Sequence, residues 1–226
     1  MKVYVFDLDD TLYDERTYVE SGLRAVAEDL AGRLSIDASE CFMRLTDELE
    51  KNGRGRIFNS VLQSYGAGSM LLVRKCLSVY RGHHPVLELL PDARRCLERL
   101  GGYPVYIVTD GNKHVQTAKL KALGLYDSAA IRKCYVTRRY GVHNEKPSPH
   151  CFQLICRREA VDPCDVVYVG DNPHKDFVGI RPLGFRTVRI VRGAHANVRK
   201  PDTHEADAEI RSLDELESAL YRITGE

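Results

Sequence analysis

The chain has 226 residues, enough for one large domain or one domain carrying a modest insertion. It is 43% hydrophobic and 29% charged, which excludes the disordered and low-complexity classes. Its 33 basic residues nearly cancel its 32 acidic ones for a formal net charge of +1, so no global field draws it to nucleic acid or to an anionic membrane. No apolar run approaches the length of a membrane span, and the opening Met1-Lys2-Val3-Tyr4-Val5-Phe6-Asp7 meets an acid too early for a secretory signal. A cytoplasmic protein is expected. The cysteines (Cys41, Cys76, Cys96, Cys134, Cys151, Cys156, Cys164) agree, being odd in number and lacking a Cys-x-x-Cys pair. They read as reduced, mostly buried thiols, and His83-His84 before Pro85 as a turn or packing feature rather than a pair of metal ligands.

Along the chain, Lys2–Phe6 reads as a first strand, followed by a stretch from about Asp14 to Arg81 that holds helical patterns only. These patterns cover Tyr18–Leu34, Ala38–Glu50, Ile57–Tyr65 and Ser69–Tyr80, with breaks at Ser35-Ile36-Asp37, Asn52-Gly53-Arg54-Gly55 and Gly66-Ala67-Gly68. Pro91-Asp92 then opens a helix with an apolar stripe of Ala93, Cys96, Leu97 and Leu100. From there strands and helices alternate. Strands are predicted at Val105–Thr109, Lys133–Val136, Val166–Val169, Thr187–Val191 and Ala208–Ile210. Asn112 is placed to cap a helix ending near Leu123, Ser148-Pro149 to open another with the proline at its first position, and Ser212 with Glu215 to form a capping box. Continuous Val/Ile/Tyr strands predict a parallel sheet buried on both faces. The fold class is therefore α/β, a Rossmann-like parallel sheet flanked by helices, with an inserted all-helical segment placed like a lid over the strand ends. The run from His195 to His204 reads as a surface loop without an assignable role.

The informative residues follow the strands. Phe6 leads into Asp7-Leu8-Asp9-Asp10-Thr11, and Val169 into Gly170-Asp171-Asn172-Pro173-His174-Lys175-Asp176. Carboxylates just past the carboxyl ends of buried strands stand where open α/β sheets bind ligands. Asp and Thr are also turn and cap residues, but three acids within four positions exceed what a cap needs and repel one another unless a cation intervenes. Two such loops on one sheet edge form an oxygen-rich pocket suited to magnesium. Two polar junctions lie between them: Thr109-Asp110-Gly111-Asn112, a hydroxyl and backbone N–H groups at a helix start, and Lys146-Pro147, a lysine just before another. Read singly, Thr109 is equally a cap and Lys146 equally a solvated charge.

In this order the four segments resemble the motifs of the haloacid dehalogenase-like hydrolase superfamily, over essentially the whole chain. The resemblance implies a catalytic core of residues 1–13 and 82–226 with a helical cap at 14–81. It implies Asp7 as a nucleophile forming an aspartyl-phosphate, and Asp9 as the general acid and base. Thr109, Asp110 and Gly111 would cradle the phosphoryl oxygens, and Lys146 would neutralise charge. Mg2+ would be held by Asp7, the Asp9 carbonyl and Asp171, with Asp176 as ligand or support. The acid at position 9 favours phosphomonoester hydrolysis over dehalogenation, because an alkoxide needs a proton to leave and a halide does not. A phosphomutase shares that acid, while Lys51 and Lys75, the lysines of the helical stretch, carry no mark of a Schiff-base role.

The expected substrate is a small phosphorylated metabolite, a nucleoside monophosphate or a sugar phosphate. Arg54 and Arg56 in the loop 51–56 are candidates to meet its second polar group, a solvated inter-helix loop being the alternative. Tyr13 and Phe58 are candidates to stack on a base or sugar, with core packing favoured for Phe58. A non-catalytic binding module on the same fold is the reading from another class, opposed by the complete motif set. A nucleic-acid role through Arg132-Lys133, Arg138-Arg139 and the basic residues of 186–199 lacks an aromatic stacking platform. No partner chain and no oligomeric state is indicated.

Overall fold

Six short β-rich runs pair in parallel into one sheet, which the computed structural model describes within residues 2–225. The strands are β1 (Val3–Phe6), β2 (Val105–Thr109), β3 (Lys133–Val136), β4 (Val166–Gly170), β5 (Arg186–Ile190) and β6 (Ala208–Ile210). Their order is β3-β2-β1-β4-β5-β6. The chain thus leaves β1 for β2 on one side and later returns to β4 on the other. That reversal opens a crevice at the carboxyl ends of β1 and β4, because the connections there diverge. Register sets the crevice walls: Phe6 pairs with Ile107 and with Val169, so the residues following β1, β2 and β4 emerge at one level. β1, β2 and β4 are buried throughout, as continuous apolar strands require when both faces are covered.

The helices are α1 (Glu15–Leu34), α2 (Ala38–Asn52), α3 (Ile57–Ser64), α4 (Met70–Gly82), α5 (Pro91–Arg99), α6 (Lys113–Ala122), α7 (His150–Glu159) and α8 (Leu216–Thr224). The chain divides into two compact units: residues up to Glu15 together with those from Leu87 onward, and Arg16–Val86. The sheet unit packs Val3, Val5, Tyr106, Val108, Phe152, Ile155, Val166 and Phe177 into one cluster. The helical unit builds its own core from Leu23, Val26, Leu30, Cys41, Leu45, Phe58, Val61, Leu62 and Cys76. Phe58 is therefore a packing residue, as its helical spacing predicts. His83 is likewise structural, its ring bonded to the Tyr80 carbonyl and the Ser21 hydroxyl.

Several caps are where the sequence puts them. Asn112 accepts from the backbone of His114 and Val115, and Ser212 with Glu215 completes a capping box. The predicted start of α7 shifts by one residue: Pro149 stands at the cap position, and the Ser148 hydroxyl accepts from His150 N at 3.4 Å. All seven cysteines are free, Cys41, Cys76, Cys96 and Cys151 being buried. Among the described residues no helix is long and apolar enough to cross a membrane.

The stretch 195–204 departs from its reading as a loop without a role. Arg189 on β5 is fully buried beneath it and donates to the carbonyls of His195 and Val198 while pairing with Glu205. A guanidinium has five donors to place and cannot shed its charge, so the loop carbonyls are held to it.

Candidate active site

Asp7 follows directly on β1, its backbone N–H donating to the Val169 carbonyl of β4 at 2.9 Å. Asp171 follows β4, and Asp176 closes the turn after it by accepting from Asn172 N at 2.8 Å. Asp7, Asp171 and Asp176 are all buried and can each offer one oxygen within 4.8 Å of the others. Lys146 enters this cluster from the segment before α7, its ammonium 2.9 Å from Asp7 Oδ1, 2.8 Å from Asp176 Oδ1 and 2.8 Å from the Tyr168 hydroxyl. The Tyr168 hydroxyl in turn donates to Asp176.

Three buried carboxylates crowd around the Lys146 ammonium, with the nearby Lys175 paired to Asp110, and the electrostatics record the crowding. Burial, with Asp176 and Asp171 nearby, pushes Asp7 up to about 8 although Lys146 pulls it back. Burial and Asp176 likewise push Asp171 up to about 6, against the hydrogen bond from His195. Lys146 is held well above its ordinary value: burial works against its charge, and Asp176 and Asp7 outweigh it. A hard, all-oxygen cluster of crowded carboxylates fits a divalent cation such as Mg2+. Both Asp176 oxygens already have protein partners, which leaves Asp7 and Asp171 as the carboxylates better placed to face it.

Asp9 points its carboxylate into a cradle of three donors: the Tyr13 hydroxyl at 2.5 Å, Gln116 Nε2 at 2.7 Å and Lys119 Nζ at 2.7 Å. Gln116 and Lys119 lie one turn apart on α6 and so share a face. Burial alone would raise Asp9, but Lys119 and the bonds from Tyr13 and Gln116 hold it below the ordinary carboxylate range. Tyr13 is fully buried in this cradle, which removes it as a stacking surface for a base or sugar. Gln116 also donates to Thr109 Oγ1 and to the Asp110 carbonyl, tying the end of β2 to Asp9.

Asp110 is structural in its contacts, accepting from the Thr137 hydroxyl, from Lys146 N and from Lys175 Nζ. The Gly111 N–H, a candidate phosphate donor, is engaged by Glu145 Oε1 at 3.1 Å. Arg54 and Arg56 lie exposed in the helical unit, Arg54 within the turn Gly53–Gly55 that follows α2 and Arg56 just after it. Sequence reading missed Gln116, Lys119, Tyr168, Lys175 and His195. Lys119 carried the one available signal, since it falls on the buried stripe with Leu120 and Leu123, where an unpaired ammonium would be costly.

A family model described as haloacid dehalogenase-like hydrolase matches residues 1–184. The chain belongs to that family. Over 226 aligned residues it is 30% identical to the glyceraldehyde 3-phosphate phosphatase of Methanopyrus kandleri, covering 96% of this chain and 95% of that one. A solved structure of a HAD phosphatase from Thermococcus onnurineus is 30% identical, covers 97% of this chain and 98% of its own, and superposes with a TM-score of 0.62. The fold alone is shared with a magnesium-bound putative HAD-hydrolase of Bacillus subtilis, at 23% identity over 100% of this chain and 99% of that one, with a TM-score of 0.69. This haloacid dehalogenase-like hydrolase is an enzyme, a phosphatase of that family.

Proposed function

We propose that this phosphatase hydrolyses a small sugar phosphate through a phosphorylated Asp7. The observation that carries the reading is the Lys146 ammonium lying between Asp7 and Asp176, beside Asp171, at the carboxyl ends of β1 and β4. Asp7 supplies the nucleophilic oxygen: its attack on phosphorus forms the acyl phosphate as the bond to the leaving oxygen breaks. Lys146 holds Asp7 and offsets charge on the incoming phosphoryl group. Asp9, a carboxylate in the free site, takes up a proton from water as substrate binds, gives it to the leaving alkoxide, takes another from the water that cleaves the acyl phosphate, and releases that one to return to its starting state. The Thr109 hydroxyl and the backbone beyond it provide donors to the phosphoryl oxygens. Asp7, Asp171 and the Asp9 carbonyl would hold Mg2+, which when bound supplies positive charge against two mutually repelling anions. Asp176 supports from behind through Lys146 and Tyr168.

A three-carbon sugar phosphate heads the substrate order because the M. kandleri relative aligned over nearly the whole length is named for one. The helical unit acts as the cap, with Arg54 and Arg56 as candidates to read the leaving group. The free thiols support a reducing, cytoplasmic setting. The test is phosphate release from glyceraldehyde 3-phosphate, other sugar phosphates and nucleoside monophosphates, with Mg2+ and with chelator. Turnover is expected only with the metal, to be highest on short sugar phosphates, and to fall by about 10^4-fold or more in Asp7→Asn. Metal-independent release, or an active Asp7→Asn protein, would overturn the mechanism. Preference for nucleotides would overturn the substrate.

A further inference from the structure

The connection from β5 to β6 has no counterpart among the four motifs, yet it is anchored at three places in the sheet unit. Arg189 takes the His195 and Val198 carbonyls at 2.9 and 2.8 Å and Glu205 at 2.8 Å. Arg192 pairs with Asp92 at the start of α5. Ala194 N donates to Asp10 Oδ2 at 3.0 Å, an approach that only glycine permits at the preceding position. Gly193 has φ +64°, and a Cβ there would lie 2.1 Å from Asp10 Cγ. So held, the loop delivers His195, whose Nδ1 is 2.9 Å from Asp171 Oδ2. The side chain of His195 is 30% exposed while that of Asp171 is 5% exposed, so the ring reaches from a partly exposed position to a buried carboxylate.

We propose that His195 is a positioning residue for the metal: by donating to one oxygen of Asp171 it fixes the plane of that carboxylate and leaves the other oxygen to the cation. Asp171 is attached to a turn, and a free carboxylate there would rotate about its side-chain torsions. One directed bond removes that freedom before metal arrives. Ligating carboxylates depend on such partners, and their loss lowers metal affinity about 10- to 100-fold. The inference rests on the reading of Asp171 as a metal ligand, and the experiment separates the two.

Mg2+ binding to the full chain is measured by titration calorimetry for the intact protein and for His195→Ala, His195→Asn and Asp171→Ala, alongside thermal unfolding in chelator. Asparagine can present an amide N–H where the ring presents Nδ1. His195→Ala is expected to weaken Mg2+ binding about 10- to 100-fold, His195→Asn to recover most of it, and both to unfold in chelator near the temperature of the intact protein. If His195→Ala binds Mg2+ like the intact protein while Asp171→Ala does not, the role of His195 is refuted and the metal site stands. If Asp171→Ala also binds normally, the metal reading fails and takes the inference with it.

Discussion

Lys119 shows how one side chain sets the state of another. Its side chain is 3% exposed and its ammonium lies 2.7 Å from Asp9 and 3.2 Å from Glu15, so its charge is shared with carboxylates rather than with water. Lys119→Met keeps the apolar stem and removes the charge, leaving both acids without that partner. Because Asp9 and Glu15 are themselves partly exposed, we expect a loss of about 2 kcal/mol near pH 7, below the full cost of breaking a wholly buried pair. The sign with pH follows from the depressed Asp9. Its contribution is complete above the ordinary carboxylate value and is lost as pH falls through the lower folded one. The gap between intact protein and variant should therefore be wide near neutrality and close in acid, which urea unfolding at several pH values checks. A gap that widens in acid would refute the pairing. Lys119 was legible only as an oddity in an apolar stripe. Its partner Asp9 is 110 residues away, and no spacing rule connects them.

Elements bring the site together through close backbone approach. A Cβ on Gly179 would fall 1.7 Å from the Pro147 carbonyl oxygen and 2.8 Å from its carbon, both backbone atoms that cannot rotate aside. The segment after Asp176 is thereby packed directly against the one that carries Lys146. Gly179→Ala must push these segments apart, at a cost of about 3 kcal/mol for a forced backbone shift. Because Lys146 sits at the displaced end, turnover should fall more than stability alone explains when assayed well below the melting temperature. Retained kcat in a destabilised Gly179→Ala protein would show that Lys146 keeps its place independently. Element boundaries were largely readable, since the strands are uninterrupted Val/Ile/Tyr runs and the caps are local. The start of α7 was off by one residue because Ser148 and Pro149 both carry start signals, and only the path of the chain from Lys146 chooses between them.

At the scale of the whole molecule, the acidic cluster makes stability depend on pH, and the proposed metal would couple to that dependence. Asp7 is raised to about 8 and Asp171 to about 6, so the folded protein holds protons that the unfolded chain releases above about 4. The stability tied to these groups is complete in acid and is lost as pH rises through about 6 and then about 8. Mg2+ bound to these carboxylates would compete with those protons and offset the same repulsion. Its stabilising effect should therefore grow with pH, the rise in melting temperature being roughly 3–6 °C larger at pH 8 than at pH 6. Thermal unfolding with Mg2+ and with chelator at both pH values checks this. An equal shift at both would mean that the cluster does not bind the metal through its carboxylates.

By itself the amino-acid sequence determined what depends on neighbours along the chain. Apolar runs of strand length became the parallel sheet, and acids one position beyond β1 and β4 stand at its carboxyl edge because chain direction puts them there. Lys146 between Asp7 and Asp176, and His195 on Asp171, were decided by tertiary structure. So was Arg189 beneath its loop, since a charged side chain read in isolation is assigned to water. Desolvation reverses that assignment only where folding supplies an opposite charge or a carbonyl from a distant segment. Such partners are fixed by the packing of the sheet and its loops in space.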